Sequence, residues 1–252
     1  MLNDLKVALA FLTRIPINHG PQISLRRSAA LFPLVGAFIG LIGGFVFYLS
    51  SAILPPLVSA SISILVTVAI KGAFHLDGLA DICDGLIGGW NREERLKILK
   101  DSRHGTYGVA AISLQLILQV CLLSALSPRD GLFTLIVLHT LSRLVPIFLM
   151  LIPATSGHDG MGASVSREIG AKEPLVGSLI TVLLIAPIMG LNFLLLSAIL
   201  FLTLSIFALW VIRKIGGMVG DAFGAGEQIS ETMILFFFVA QFGIVGVIPW
   251  II

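Results

Sequence analysis

Charged side chains are scarce in this sequence: Asp, Glu, Lys and Arg account for only 12% of its 252 residues. Soluble globular domains carry about twice that share. Hydrophobic residues make up 57%, and the mean hydropathy is +1.03. These values exclude a chain that faces water over most of its surface, so its main solvent must be lipid. The formal net charge of only +2 gives no reason to expect a nucleic-acid partner.

Cysteine is also rare, with Cys83 and Cys121 as the two cysteines of the chain. Two cysteines cannot build a disulfide framework, and neither has neighbours at metal-ligand spacing. We interpret both as reduced residues in or facing a reducing compartment.

Long apolar stretches take up most of the chain, and about 20 such residues span a bilayer. We expect a single integral membrane domain over 1–252: an all-α, polytopic transmembrane helical bundle in contact with membrane lipids. Residues 1–28 are predicted to form a cytoplasmic amphipathic segment. About seven spans are predicted, within a range of six to eight, because 175–189 is short and contains Pro187. The candidates are 29–54, 57–74, 107–126, 132–152, 175–189, 192–212 and 232–252.

Basic residues are distributed asymmetrically among the loops between these spans. With a cytoplasmic N-terminus, 13 of the 16 Lys and Arg residues fall on the inner side. The positive-inside rule therefore places the N-terminus in the cytoplasm. The polar loops 75–106, 153–174 and 213–231 then share the cytoplasmic face of a cell (inner) membrane, where we expect the active site.

Three aspartates follow the second predicted span within eight residues: Asp77, Asp81 and Asp84. At about 100° per residue, a helix would bring all three to one face. Neighbouring carboxylates repel, and a hard divalent ion with oxygen ligands, Mg²⁺ or else Mn²⁺, offsets them. Gly78 and Gly85 suit the close approach of a ligand to the backbone. The competing interpretation is a solvated acidic helix end that pairs with the basic run after it.

A second acidic, glycine-rich segment begins at Asp221 and also contains Glu227 and Glu231. On a helix, position 228 shares a face with Asp221, but the residue there is Gln228. Two such segments facing one compartment are typical of a metal-dependent phosphoryl-transfer site.

Phosphate-binding candidates lie between and beside these clusters. The run Lys100, Asp101, Ser102, Arg103 and His104 places cations where they could hold phosphate oxygens. Arg143 lies within a predicted span, with His139 one turn before it. An intramembrane Arg indicates a phosphate or carboxylate partner, and pairing with a buried carbonyl is the structural alternative.

At these motifs the chain strongly resembles the cobalamin synthase, or adenosylcobinamide-GDP ribazoletransferase, family. Residues 74–85, FHLDGLADICDG, match the family pattern throughout. A second element matches at Asp101, Ser102, Arg103, Gly105, Thr106 and Gly108. Weaker matches are FLTRIP at 11–16, FPLVG at 32–36 and Ser142-Arg143.

The resemblance implies a membrane enzyme that joins adenosylcobinamide-GDP to α-ribazole or its 5′-phosphate, with Mg²⁺, and releases GMP. The residues implied as catalytic are Asp84, Asp221 and His75, and those implied as metal ligands are Asp77, Asp81, Asp84, Asp221 and Gln228. Substrate contacts are expected from Lys100, Asp101, Ser102, Arg103, His104, Arg143, Glu227, Glu231, Gly78 and Gly85. A homo-oligomer is a further expectation.

One position departs from the family pattern, which usually has glutamate where this chain has Gln228. Glutamine keeps the shape but loses the charge and the ability to accept a proton. Compensation by Glu227, weakened activity and a deliberate substitution are three explanations that the sequence leaves open.

Two other functions fit parts of the pattern. A CDP-alcohol phosphotransferase of phospholipid synthesis also uses aspartates and a divalent metal, but Ala80-Asp81 stands where its motif has an alanine-arginine pair. A divalent cation transporter would place its acidic residues within the spans, whereas these lie at the span ends.

Overall fold

The computed structural model describes residues 2–18, 20, 24–155 and 168–245. These residues form α-helices, and an isolated parallel bridge pairs Ala154 with Met218. The all-α prediction is confirmed. In chain order the helices are α1 (Leu2–Leu12), α2 (Leu25–Ala29), α3 (Phe32–Ser50), α4 (Pro56–Lys71), α5 (Phe74–Cys83), α6 (Arg92–Ile98), α7 (Thr106–Ser124), α8 (Pro128–Ser142), α9 (Val145–Leu149), α10 (Lys172–Met189), α11 (Asn192–Ile215) and α12 (Gly220–Val245), and a π-helical turn, Asp84–Gly88, follows α5 directly.

Within the described residues, five helical segments are long and apolar enough to cross a bilayer: α3, α7, α8 with α9, α10 and α11. A sixth results if α4 and Phe74–Gly88 form one broken span. The multi-pass helical bundle is therefore confirmed, while the number of spans, about seven within a range of six to eight, stays a prediction. The short candidate 175–189 belongs to an unbroken helix with Pro187 in its last turn. The candidate 232–252 continues past the described residues and starts inside α12.

The predicted span 57–74 is not a straight helix. α4 ends at Lys71, and the following segment is bent by 92° from it. Gly72 and Ala73 form the bend with φ angles of +69° and +58°. Their N–H groups both donate to the carbonyl of Val68, which ends α4 as in a left-handed helix C-cap. Ala73 is as apolar as its neighbours, so the hydropathy pattern gives no sign of the break.

α3 and α8 pack closely through a stripe of glycines on α3 formed by Gly36, Gly40 and Gly44. A Cβ added at Gly40 would lie 2.8 Å from the Cα of Ile136, and one at Gly44 would lie 2.8 Å from the carbonyl oxygen of Leu132. Gly36 meets the main chain of His139 in the same way. Small residues let two helix backbones approach in this manner inside a membrane.

α12 lies at the centre of the bundle and packs against α5, α7, α8 and α9. Its first three turns are buried on most sides and include the charged residues Glu227 and Glu231. The two elements that carry the acidic motifs, α5 and α12, are therefore direct neighbours.

We predict that Gly40→Ala lowers the free energy of unfolding by about 1–3 kcal/mol, because the new methyl group would overlap the main chain of α8. Thermal unfolding in detergent measures the effect. The control is Leu41→Ala, which truncates an exposed side chain on the same helix and should shift the midpoint less. Equal midpoints for Gly40→Ala and the wild type would contradict the close packing.

Candidate active site

α5 and α12 meet through glycines, and this contact assembles the site. A Cβ on Gly78 would lie 2.8 Å from the carbonyl oxygen of Asp221, and one on Gly224 would lie 3.2 Å from the Cα of His75. The contact brings Asp221 within electrostatic reach of Asp77 and Asp81. The structure therefore brings carboxylates of the two predicted clusters together.

Gly78 and Gly85 have different neighbours from those predicted. We expected a ligand to approach their backbone, but the space beside Gly78 holds the main chain of Asp221. Beside Gly85, an added Cβ would lie 2.7 Å from the Cγ of Leu99. Protein atoms therefore lie where a side chain would stand at both glycines, and substrate contacts there stay a prediction.

His104 lies between the first two aspartates. Its Nε2 is 3.3 Å from Oδ1 of Asp77, and its Nδ1 is 3.4 Å from Oδ1 of Asp81. The Asp77 side chain is 58% exposed and that of Asp81 18% exposed, so the pair opens to the outside of the bundle. A loop histidine predicted to contact substrate thus lies directly beside the carboxylates.

Asp84 does not share this arrangement. It lies in the π-helical turn, is buried, and accepts hydrogen bonds from the N–H groups of Gly105 at 2.7 Å and Gly108 at 2.9 Å. A Cβ at Gly105 would lie 2.7 Å from Oδ1 of Asp84, which explains why this motif has glycine there. Asp84 fastens the loop that carries His104, so a role as base or metal ligand would have to involve oxygens that are already hydrogen-bonded.

The exposed part of this loop contains the other predicted phosphate contacts. Lys100, Ser102 and Arg103 are exposed, and Arg103 forms an ion pair with Asp101 at 2.7 Å. The hydrogen bonds that Arg103 donates from its side chain and backbone lower the pKa of Asp101 to about 2. These side chains are accessible to a phosphorylated ligand.

Arg143, Glu227 and His75 form a cluster inside the bundle. Arg143 is in contact with Glu227, both are fully buried, and the other carboxylate oxygen of Glu227 is 3.0 Å from Nε2 of His75. The carboxylate partner considered for Arg143 is therefore found, and it is a residue of the protein. His75 faces the same buried carboxylate. Substrate contacts of Arg143 and Glu227 stay predictions.

A second buried cluster surrounds Glu231. Nζ of Lys71 donates to its two carboxylate oxygens at 2.8 and 3.1 Å, Nε2 of Gln119 donates at 3.1 Å, and Nδ1 of His139 is 3.2 Å away. No role was predicted for Lys71 or Gln119 from the sequence. Polar side chains inside apolar segments are the sequence feature that indicates such residues.

Gln228 belongs to this buried cluster as well. Its Nε2 donates to Glu231 at 3.2 Å, and its main-chain carbonyl accepts from Nε2 of Gln115 at 2.7 Å. Positions seven residues apart on a helix are separated by about 10 Å along its axis, which does not favour one ion held by both Gln228 and Asp221. We therefore expect Gln228 to pair with Glu231 rather than to bind a metal, and Glu227 faces Arg143.

The carboxylate oxygens of Asp77, Asp81 and Asp221 are suitable ligands for a hard divalent ion. No three His, Cys, Asp or Glu side chains surround a single metal position in the described part of the chain. Mg²⁺, however, is usually held by one or two carboxylates, with substrate phosphates and water as its other ligands. The neighbouring carboxylates of Asp77 and Asp81, with Asp221 close by, meet this requirement.

Comparison with known proteins agrees with these motifs. The family described as cobalamin-5-phosphate synthase matches residues 4–239. A protein of Azorhizobium caulinodans named adenosylcobinamide-GDP ribazoletransferase is 38% identical over 93% of this chain and 94% of its own length. Proteins of the same name are 37% identical in Shewanella frigidimarina, over 92% of both chains, and 36% identical in Bradyrhizobium diazoefficiens, over 93% of this chain and 92% of the relative. No solved structure matches the chain. From its motifs and from these similarities along nearly its whole length, the chain belongs to the cobalamin-5-phosphate synthase family.

Proposed function

We propose that this membrane protein is an adenosylcobinamide-GDP ribazoletransferase. It transfers the adenosylcobinamide phosphate group of adenosylcobinamide-GDP to α-ribazole or its 5′-phosphate and releases GMP. The observation that carries the proposal is the convergence of Asp77, Asp81 and Asp221 at the contact between α5 and α12, in a chain of this family. Neither phospholipid synthesis nor cation transport is favoured by these findings.

Magnesium is the cofactor we propose, with Mn²⁺ as the second candidate. Asp77 and Asp81 are the residues that would hold it, with Asp221 close by. Bound there, the ion would neutralise charge on the pyrophosphate and on the departing GMP. Exposed Lys100 and Arg103, on the loop fastened by Asp84, are placed to bind the phosphate oxygens.

The transfer needs an acceptor for one proton. A ribazole hydroxyl attacks the phosphorus on the cobinamide side, the bond from that phosphorus to the GMP oxygen breaks, and the hydroxyl proton goes to a base. Both oxygens of Asp84 already accept hydrogen bonds from backbone N–H groups. Asp221 is therefore our candidate for the base.

We further propose that the protein lies in the inner membrane with this site on the cytoplasmic face. The support is the layout predicted from the sequence, in which 13 of its 16 basic residues fall on one side of the membrane. Bound lipids and a homo-oligomer stay predictions.

The activity is tested by incubating the purified protein with adenosylcobinamide-GDP, α-ribazole 5′-phosphate and Mg²⁺, and measuring GMP. Chelation should stop GMP release, and added Mg²⁺ should restore it. Asp221→Asn should lower kcat by about 10²- to 10⁴-fold, as expected for loss of a general base. Asp130→Asn, at the other end of the bundle in the proposed orientation, is the control. Absence of GMP release by the wild type would contradict the proposed function.

Gln228→Glu should not increase GMP release, although it restores the usual family residue. The new carboxylate would face Oε2 of Glu231 inside the bundle, where like charges repel and are poorly screened. We expect a lower midpoint of thermal unfolding. Gln228→Met, which removes the donor without adding charge, should cause a smaller loss. Faster turnover of Gln228→Glu would restore the catalytic role that we reject for this position.

Orientation is tested by cysteine labelling in a background with Cys83→Ser and Cys121→Ser. Trp90→Cys and Leu191→Cys each place one thiol at a highly exposed position, the first near the site and the second between α10 and α11. A membrane-impermeant maleimide added to spheroplasts should label only the Leu191→Cys protein. Labelling of Trp90→Cys in sealed spheroplasts would reverse the proposed orientation.

A further inference from the structure

The bend between α4 and α5 is held from both sides by one helix. Lys71 is the last residue of α4, and its ammonium group binds Glu231 of α12. His75 lies in the first turn of α5, and its ring faces Glu227 of α12. Lys71 and His75 are four residues apart across the bend, while Glu227 and Glu231 are four apart on one helix face. The two pairs therefore form a clamp around Gly72 and Ala73.

Burial makes this clamp hard to open. Lys71, His75, Glu227 and Glu231 are all at most 6% exposed. A buried charge that loses its partner is strongly unfavourable, so neither carboxylate can move away from its contacts at low cost. His139 of α8 and Arg143, the residue directly after α8, contact the same two glutamates, which fixes the carboxylates from a third side.

The backbone of the bend does not favour its own geometry. Ala73 has a φ of +58°, a conformation that costs free energy for a residue with a Cβ. Ala73 is also the N-cap of α5 and has no side-chain hydrogen bond to offer the first turn. Contacts with the rest of the bundle must therefore hold α5 in its direction.

The direction of α5 determines where the site carboxylates lie. Asp77 follows His75 by two residues and Asp81 by six, while Asp221 precedes Glu227 by six on the clamping helix. We propose that Glu227 and Glu231 are positioning residues, which clamp the bend and so fix Asp77 and Asp81 against Asp221. The consequence for turnover rests on the proposed function, whereas the consequence for the position of α5 does not.

Three variants distinguish the positioning effect of the clamp from the general effect of leaving a buried charge unpaired. Glu231→Gln weakens one half of it and leaves Lys71 without its anionic partner. The pair Lys71→Met with Glu231→Gln removes both charges, which avoids an unpaired buried cation but still releases the end of α4. Glu173→Gln is the matched control, because Glu173 is also buried and pairs with Arg26 at 2.7 Å, but it joins α2 to α10.

The position of α5 is measured with spin labels at Phe74→Cys, a half-exposed position on α5, and at Leu191→Cys in the cysteine-free background. Double electron–electron resonance should give one narrow distance distribution for the unaltered clamp and for Glu173→Gln. Glu231→Gln and the charge-free pair should both broaden or shift it. A distribution that stays unchanged in the charge-free pair would overturn the clamp, since the bend would then be held by other contacts.

Turnover is measured on the same variants without spin labels. A small displacement of reacting groups can lower the rate by about 100-fold, so kcat should fall by about 10- to 100-fold in both clamp variants, with KM little changed. Glu173→Gln should keep the wild-type kcat. Recovery of kcat in the charge-free pair would overturn the positioning role, because the single variant would then have suffered only from its unpaired charge. If the wild type itself releases no GMP, the proposed function fails and the distance measurement still decides on the clamp.

Discussion

The pairing of Glu231 with Lys71 in the middle of an apolar bundle is the interaction on which the rest of the structure depends. Lipid offers no hydrogen bonds to a charge, so the acid and the base must find each other within the protein. Their pairing fixes α12 against α4, and through Glu227 the same helix holds α5, α8 and the start of the acidic motif. The buried charges are thus a constraint on geometry, while the exposed carboxylates above them are available for chemistry.

Much of the fold follows from composition and pattern. Apolar runs predict the helices, and the glycine stripe on α3 indicates a close helix contact such as the one with α8. Both features can be recognised from the sequence because they lie along a single helix. The break at Gly72 and Ala73 could not be predicted in this way. It depends on partners that lie about 150 residues further along the chain, and Ala73 contributes nothing to the sequence that differs from an ordinary span residue.

The two acidic segments predicted from the sequence are neighbours in the structure, while several of their side chains have partners that the sequence did not indicate. An angular projection along a helix places Asp221 and Gln228 on one face, but it ignores their separation along the axis, which does not favour a shared ion. It also treats Asp84 as a continuation of α5, although the π-helical turn and two glycine amides give that carboxylate other partners. Gly78 and Gly85 are, as the sequence suggests, positions that other atoms approach closely. These atoms belong to α12 and to Leu99, which only tertiary packing determines.

The hydrogen bonds from Gly105 and Gly108 to Asp84 also set the spacing between two parts of the site. They close residues 85–104 into a ring that starts and ends at one buried carboxylate. His104, at the end of this ring, lies against Asp77 and Asp81, while Lys100 and Arg103 are exposed in the same ring. A single buried side chain therefore ties the basic part of the site to its acidic part.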